Sequence, residues 1–391
     1  MTSLAPDERE YDSQEELEAL RVGAGRRIPI GNLYHLLCYA WDFFAYEDLT
    51  SVRRDDHRGY TELLLMVLTE GTTRLLKQGL HRDYVALTES MPAIRGKFEL
   101  AQSIAAGKLP QGFAVCTHDE FTADIPANQI LKSTLLRFAG LGGMDKKLAD
   151  AARRAALRMT GVTRIDADVA MIGRVRIDRN NRAYGFLLSI CRLLLEATSV
   201  REGAVDDLAR TEQRFHKVLE NRLPALFEAF VRNFYAKKLK GEGWSRFGAQ
   251  QIEWVWSELT AGSSTHVPRM ITDVTLEHAD RKIILDTKFY SSGGLNDRAT
   301  FESANLYQLH AYVTQLARQA ARDGARHPHD HHAEGILLYA STREAEFLHA
   351  FDMPPHRVTV ASVDLRQPWR AIEARLLALI RENINSKGFT S

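Results

Sequence analysis

Asp273, Asp286 and Lys288 are the residues of this chain whose types and spacing could do chemistry. They stand in Pro268-Arg-Met-Ile-Thr-Asp273-Val-Thr-Leu-Glu-His-Ala-Asp-Arg-Lys-Ile-Ile-Leu-Asp286-Thr-Lys288-Phe-Tyr290. Residues 271–276 alternate and 282–290 form an apolar, β-branched run, which predicts two strands around a polar turn. The turn is centred between Ala279 and Asp280, so Asp273 and Asp286 are equidistant from it. In an antiparallel pair they face each other at roughly 4.5–5.5 Å, and Lys288 shares the face of Asp286. Opposed carboxylates destabilise a sheet unless something neutralises them. A divalent cation does so. Two hard oxygen donors suit Mg²⁺, which takes one or two protein carboxylates together with substrate phosphate. A lysine beside such a centre can orient water or stabilise developing charge. The chemistry implied is metal-assisted phosphodiester hydrolysis. The competing reading is a surface hairpin with solvated charges.

Other elements must position these groups. The run Ile283-Ile-Leu285 before Asp286 reads as a strand buried on both faces, an odd place for Asp-x-Lys without a role. A helix-like segment over 303–312 places Gln308 and Tyr312, four apart, on one face. Residues 212–239 are helical in pattern, with Pro224 as a kink or a helix start and Phe227, Phe230, Val231 and Phe234 as an apolar stripe. Glu228 lies beside that stripe, either as a boundary residue or as a further metal carboxylate. Strands are expected over 251–259, 335–340 and 357–365, and a closing helix over 369–384, which together make a mixed α/β core. Upstream, helices are expected over 32–41, 61–77, 128–139, 146–159 and 182–198, and extended chain over 85–93, 95–100 and 113–121. The basic residues of 146–159 read as a solvated face.

A chain of 391 residues is long for one core. The division expected is a polar tail over 1–27, with a short helix over 15–20, then a domain over 28–200 and a second over 201–391. Hydrophobic content of 45% and charged content of 26% are those of a globular protein. A net charge of +1 gives no general support for nucleic-acid binding, so any such binding must be local or shared with a partner. Cys38, Cys116 and Cys191 are scattered and odd in number, which suggests a reduced compartment rather than a disulfide framework. No signal peptide and no bilayer-length apolar run are seen, so the expectation is a cytoplasmic protein without membrane association. The segment Arg326-His-Pro-His-Asp-His-His332 is not read as a metal site, because it is polar, contains proline and has no predicted element to fix ligand geometry. There is no Gly-x-x-x-x-Gly-Lys-Ser/Thr loop, so this chain is not expected to bind ATP or GTP by itself.

Asp273, Asp286-x-Lys288 and the following Gln308-x-x-x-Tyr312 together resemble the PD-(D/E)xK nuclease superfamily in its RecB-like branch. More specifically, the chain resembles the McrC family over nearly its whole length. The matching stretches are Ile28-Pro-Ile-Gly-Asn-Leu-Tyr-His-Leu-Leu-Cys-Tyr-Ala-Trp41, Ile94-Arg-Gly-Lys-Phe98, Asp119-Glu-Phe-Thr-Ala-Asp-Ile-Pro-Ala-Asn128-Gln-Ile-Leu-Lys132-Ser-Thr134, Pro268-Arg-Met-Ile-Thr-Asp273, Leu285-Asp-Thr-Lys288 and Asn305-Leu-Tyr-Gln308-Leu-His-Ala-Tyr312. The resemblance implies an α+β protein. Its N-terminal mixed α/β domain docks on an McrB-like hexameric AAA+ GTPase, which binds the GTP and recognises modified DNA. Its C-terminal PD-(D/E)xK domain, a mixed sheet flanked by helices, is a Mg²⁺-dependent endonuclease acting on double-stranded DNA. Asp273, Asp286, Lys288, Gln308 and Tyr312 carry over as the catalytic set, with Asp273, Asp286 and Glu228 as metal carboxylates. The family's first motif is often Pro-Asp; here Thr272 precedes Asp273, and Pro268 stands further upstream. The alternatives are a RecB-like nuclease of DNA repair or recombination and a non-catalytic activator of the AAA+ partner.

Overall fold

The computed structural model describes residues 28–42, 59–178, 181–198, 207–257, 263–289, 301–341 and 346–381. The expected tail over 1–27 and its helix lie outside the described residues. The chain divides into two compact units, one of residues 1–54 with 221–391 and the other of residues 55–220. This differs from the expected division at residue 200. The first ordered helix, α1 (Ile30–Ala40), belongs with the C-terminal half. The cause is packing: residues 32–40 of α1 are all buried, a helix with no solvated face, and their partners are aromatic residues from the far end of the chain.

The unit of residues 55–220 is built from helices α2 (Tyr60–Gln78), α4 (Pro126–Ala139), α5 (Lys146–Arg158) and α7 (Arg182–Thr198), with short helices α3 (Leu100–Ala105) and α6 (Val169–Arg174). Glu212 closes the start of α2 by accepting from the N–H groups of Tyr60 (2.7 Å) and Thr61 (3.0 Å). Strands β1 (Asp83–Met91), β2 (Lys97–Phe98) and β3 (Ala114–Thr122) form an antiparallel sheet in the order β1-β3-β2. The extended chain expected over 95–100 is only β2, because Leu100 already opens a helix. Tyr84 and Phe121 face each other across β1 and β3 with ring centroids 5.1 Å apart, and both are exposed.

The other unit is organised around a six-stranded mixed sheet in the order β10-β11-β9-β8-β7-β4. Its strands are β4 (Arg246–Gly248), β7 (Val274–His278), β8 (Arg281–Phe289), β9 (Glu334–Ser341), β10 (Leu348–Met353) and β11 (His356–Asp364). The pairs β8–β9 and β9–β11 are parallel and the rest antiparallel. Strands β5 (Gln251–Ile252) and β6 (Met270–Ile271) form a separate two-stranded ladder. The fold is therefore α+β with a mixed sheet and flanking helices.

Helix α9 (Ser303–Asp323) covers one face, where Leu309, Tyr312, Val313 and Leu316 pack with Ile284, Leu337, Tyr339, Val358 and Val360. Gly335 permits the approach, since a Cβ there would stand 3.1 Å from Leu309 Cγ. Alternate residues of β8 face the opposite way, and Phe289 meets Phe227 of α8 (Leu208–Leu239). On α8, Phe230 and Phe234 join Tyr39 of α1 and Trp369 of α10 (Trp369–Arg381) in an aromatic cluster with centroid separations of 5.5–5.8 Å. Asn32 adds hydrogen bonds from its amide to the carbonyls of Leu365 (2.7 Å) and Gln367 (2.8 Å).

Several expectations are corrected in detail. Of the two alternatives for Pro224, the helix start is overturned, since it lies inside the single helix α8. The strand expected over 251–259 is two residues long, residues 253–257 are irregular, and 258–259 lie outside the described residues. Strands β4 and β10 were not expected. The histidine segment 326–332 does contain an element, a 3₁₀ turn over Asp330–His332. Asp330 builds it by accepting from the N–H groups of Arg326 and His327 and from Lys282 Nζ (2.6 Å).

Candidate active site

The hairpin register is Val274 opposite Leu285 through His278 opposite Arg281, and it stops one residue short of Asp273 and Asp286. The chain on the Asp273 side is not one strand, however. It breaks between Ile271 and Val274, where Thr272 and Asp273 leave the ladder. Thr272 is buried and holds the break in place. Its backbone N–H donates to the Gln250 carbonyl (3.0 Å), while its hydroxyl accepts from the Gln250 N–H (2.9 Å) and meets the Thr275 hydroxyl (2.9 Å). Asp273 is thereby freed from strict alternation.

Asp286 sits in the middle of β8 with no exposed surface. Among the described residues its close polar partner is Lys288, its counter-charge, whose Nζ lies 2.8 Å from Oδ2. Burial pushes the Asp286 carboxyl up to about 6, Lys288 opposes that shift, and Asp273 and Glu228 reinforce it. A buried carboxylate with so few polar partners is costly as it stands.

Lys288 begins a directional relay. Its ammonium donates to Gln308 Oε1 (3.1 Å), Gln308 Nε2 donates to the Tyr312 hydroxyl (2.7 Å), and that hydroxyl donates to the Ile271 carbonyl (3.0 Å). The four-residue spacing of Gln308 and Tyr312 on α9 makes this possible, as expected from a shared helix face. Burial raises the Tyr312 phenol, so it stays a donor. The relay ties the lysine on β8 to the chain just ahead of Asp273.

The structure thus brings Asp273, Asp286, Lys288, Gln308 and Tyr312 together. Glu228 is coupled by charge to Asp273, Asp286 and Lys288. It is on α8, and its Oε1 is paired with Arg232 at 3.0 Å. Burial raises its carboxyl, and Asp273 adds to that, so the two feel each other's charge. Among the described residues no three His, Cys, Asp or Glu side chains are gathered closely enough to hold a metal ion. Asp286 is a buried hard-oxygen donor whose carboxyl is pushed up by burial and by the charges of Asp273 and Glu228, a donor chemistry that suits a divalent cation. Sequence reasoning missed Thr287, whose backbone N–H and hydroxyl both donate to Asp273 Oδ2, each at 2.7 Å.

The model of the McrBC 5-methylcytosine restriction system component family matches residues 21–323, well over half of the chain. The chain belongs to that family. A relative, the type IV methyl-directed restriction enzyme EcoKMcrBC of Escherichia coli (strain K12), is 26% identical over 359 residues, covering 91% of this chain and 98% of that protein. Among solved structures, the refined half-complex from the tetradecameric assembly of Thermococcus gammatolerans McrB AAA+ hexamers with bound McrC is matched with a TM-score of 0.49 and 17% identity, over 90% of this chain and 75% of that one. The cryo-EM structure of the Thermococcus gammatolerans McrBC complex is matched with a TM-score of 0.34 and 18% identity, over 55% of this chain and 70% of that one. As a member of this family the chain is a component of a restriction system. Its matched region runs from the tail through α9 and so includes every residue of the candidate site.

Proposed function

We propose that this chain is the DNA endonuclease subunit of a modified-cytosine-dependent restriction complex, of PD-(D/E)xK type, and that it cleaves by Mg²⁺-assisted phosphodiester hydrolysis. The observation that carries this is Asp286, a fully buried carboxylate whose close polar partner among the described residues is Lys288 and whose carboxyl is pushed up by burial and by the neighbouring charges of Asp273 and Glu228. Asp273 and Asp286 would hold the cation, which when bound supplies charge neutralisation at the scissile phosphate and activation of a water. Lys288, part-exposed beside the two carboxylates, is placed to stabilise negative charge developing on the phosphate. Gln308 keeps the ammonium from collapsing wholly onto Asp286, and Tyr312 fixes Gln308. Both are positioning residues.

The partner proposed is an McrB-like AAA+ GTPase hexamer, the kind of protein that the Thermococcus gammatolerans assemblies pair with McrC. Two features of this chain support it. The sequence has no phosphate loop of its own. The sheet β1-β3-β2 also exposes the facing pair Tyr84 and Phe121, large apolar side chains of the sort that mark an interface. Double-stranded DNA is the substrate on this reading, with GTP bound by the partner. The test is co-purification with a genomically adjacent AAA+ GTPase, followed by incubation of the complex with methylated and unmethylated DNA, GTP and Mg²⁺. Cleavage restricted to the methylated duplex and dependent on both GTP and Mg²⁺ is expected. No cleavage of either duplex by a complex that hydrolyses GTP would leave the chain an activator only.

A further inference from the structure

We propose that Thr287, the middle residue of Asp286-Thr-Lys288, is a positioning residue for the metal centre. Its hydroxyl and backbone N–H jointly anchor one oxygen of Asp273, so that the other is left to the cation. The inference rests on the Mg²⁺ nuclease reading and adds to it a residue that neither the motif nor the family resemblance singles out.

Asp273 stands at the break between β6 and β7, so the strand ladder does not orient its side chain. An aspartate there has two free side-chain torsions, and a carboxylate that must meet a second carboxylate across a cation needs both fixed. Thr287 supplies the constraint. Its N–H and its hydroxyl both end on Oδ2, each at 2.7 Å, short distances for hydrogen bonds to a charged acceptor. Two donors from different directions on a single oxygen set the plane of the carboxylate as well as its position. Among the described residues Asp273 Oδ1 accepts no hydrogen bond, so the anchoring is one-sided. One oxygen is committed to the protein, and the other keeps its lone pairs for a ligand.

The residue type suits the role. Thr287 lies inside β8, where alternation turns its side chain away from the face shared by Asp286 and Lys288. It therefore cannot contact the scissile phosphate as Lys288 can. It reaches Asp273 only because Thr272 and Gln250 pull that part of the chain out of the ladder. A β-branched side chain has a stiff first torsion in a strand, so the hydroxyl direction is nearly fixed before any metal arrives. Thr287 is 8% exposed, and water competes little for its hydroxyl. Groups that hydrogen-bond a metal-ligating carboxylate typically contribute about 10- to 100-fold in metal affinity.

The experiment uses the full chain without DNA and Mn²⁺ as the probe, with binding followed by the loss of the free-ion paramagnetic resonance signal. Thr287→Val keeps the branched shape and removes only the hydroxyl; Thr287→Ser keeps the hydroxyl. The expected result is about tenfold or more weaker Mn²⁺ binding for Thr287→Val, near wild-type binding for Thr287→Ser, and metal-free thermal midpoints close to wild type for both. Unchanged Mn²⁺ affinity in Thr287→Val overturns the proposal and leaves the metal reading standing. Equal loss in Thr287→Ser overturns it too, because strand packing rather than the hydroxyl would then be responsible. Wild-type protein that binds no Mn²⁺ overturns the metal reading itself, and with it the role given to Thr287.

Discussion

Lys288 Nζ lies 2.8 Å from Asp286 Oδ2, and among the described residues that carboxylate has no other close polar partner. The lysine is 19% exposed and the aspartate is wholly buried, so the pair points its charge deficit inward and its ammonium toward solvent. An ion pair built only for stability would satisfy the buried partner first. Here the lysine is shared with Gln308 and the aspartate is left short, which is the arrangement expected where a cation and a phosphate complete the set.

Removing either carboxylate is expected to abolish cleavage. In Asp273→Ala or Asp286→Ala the remaining aspartate can no longer share a cation, so Mg²⁺-dependent cutting by the partner complex should fall to background. GTP hydrolysis by the partner should persist, because both aspartates lie in the unit of residues 221–391 and not in the unit of 55–220. The measurement is plasmid cleavage and phosphate release on the same complex. Near wild-type cutting by Asp286→Ala would sink the site assignment.

Lys288→Ala is expected to lose on the order of 10²-fold in cleavage, the usual cost of one electrostatic stabiliser. A second effect follows from the geometry. Lys288 is the group that holds the Asp286 carboxyl down against burial. Without it the carboxyl rises above about 6, so the acidic limb of the pH–rate profile should move to higher pH. Lys288→Arg should keep that limb in place while still losing rate. A pH profile identical to wild type in Lys288→Ala would mean that the lysine does not set the charge state of Asp286.

The pH dependence of metal binding follows from the same carboxyl. Its ordinary value is 3.8 and its folded value about 6, raised chiefly by burial. A raised value means the folded protein holds this proton more tightly than the unfolded chain does. Its contribution to stability is thus fully present below 3.8 and is lost as pH rises through about 6. A divalent cation must compete with that proton. Mn²⁺ should therefore raise the thermal midpoint at about pH 8 and do little at about pH 5, and Asp286→Asn should show no metal-induced rise at either. An equal rise at both pH values in the wild type would place metal binding elsewhere.

Much of this site was legible because it depends on short-range rules. The turn between Ala279 and Asp280 fixes the hairpin register from Val274 opposite Leu285 to His278 opposite Arg281, and the ladder ends just before the two aspartates. Helical spacing alone put Gln308 and Tyr312 on one face. What was hidden depends on distant partners. The break at Thr272 exists because Gln250, far earlier in the chain, captures it, and only that break lets Thr287 reach Asp273. Strand β10 escaped notice because it is an edge strand whose exposed middle residues, His349 to Asp352, carry no buried alternation. The alternatives left open for Glu228, a boundary residue or a further metal carboxylate, turn on two neighbours at once: Arg232, four residues on, which pairs with it, and Asp273, whose charge adds to burial in raising its carboxyl.

The placement of α1 is the largest departure from the sequence reading, and it yields the last prediction. The periodicity of residues 32–41 announces a helix, but nothing local says that its partners are Phe230, Phe234 and Trp369. Because α1 is packed on those residues, a fragment of 28–200 carries a helix buried on all sides with its partners deleted, and a fragment of 201–391 exposes the aromatic face it covered. The fragment suited to testing partner activation is therefore about 59–220, which is expected to fold and to raise the GTPase rate of an AAA+ partner by itself. For α1, the informative variant is Asn32→Ala. It removes a buried hydrogen bond to the Leu365 carbonyl and a part-buried one to the Gln367 carbonyl, and leaving the buried acceptor unpaired costs about 1–3 kcal/mol. Thermal unfolding of the full chain should show a clearly lowered midpoint for the transition that also abolishes cleavage, with GTPase stimulation kept below that temperature. A midpoint unchanged by Asn32→Ala, or a fragment of 201–391 as stable as the full chain, would show that α1 is dispensable to the nuclease unit.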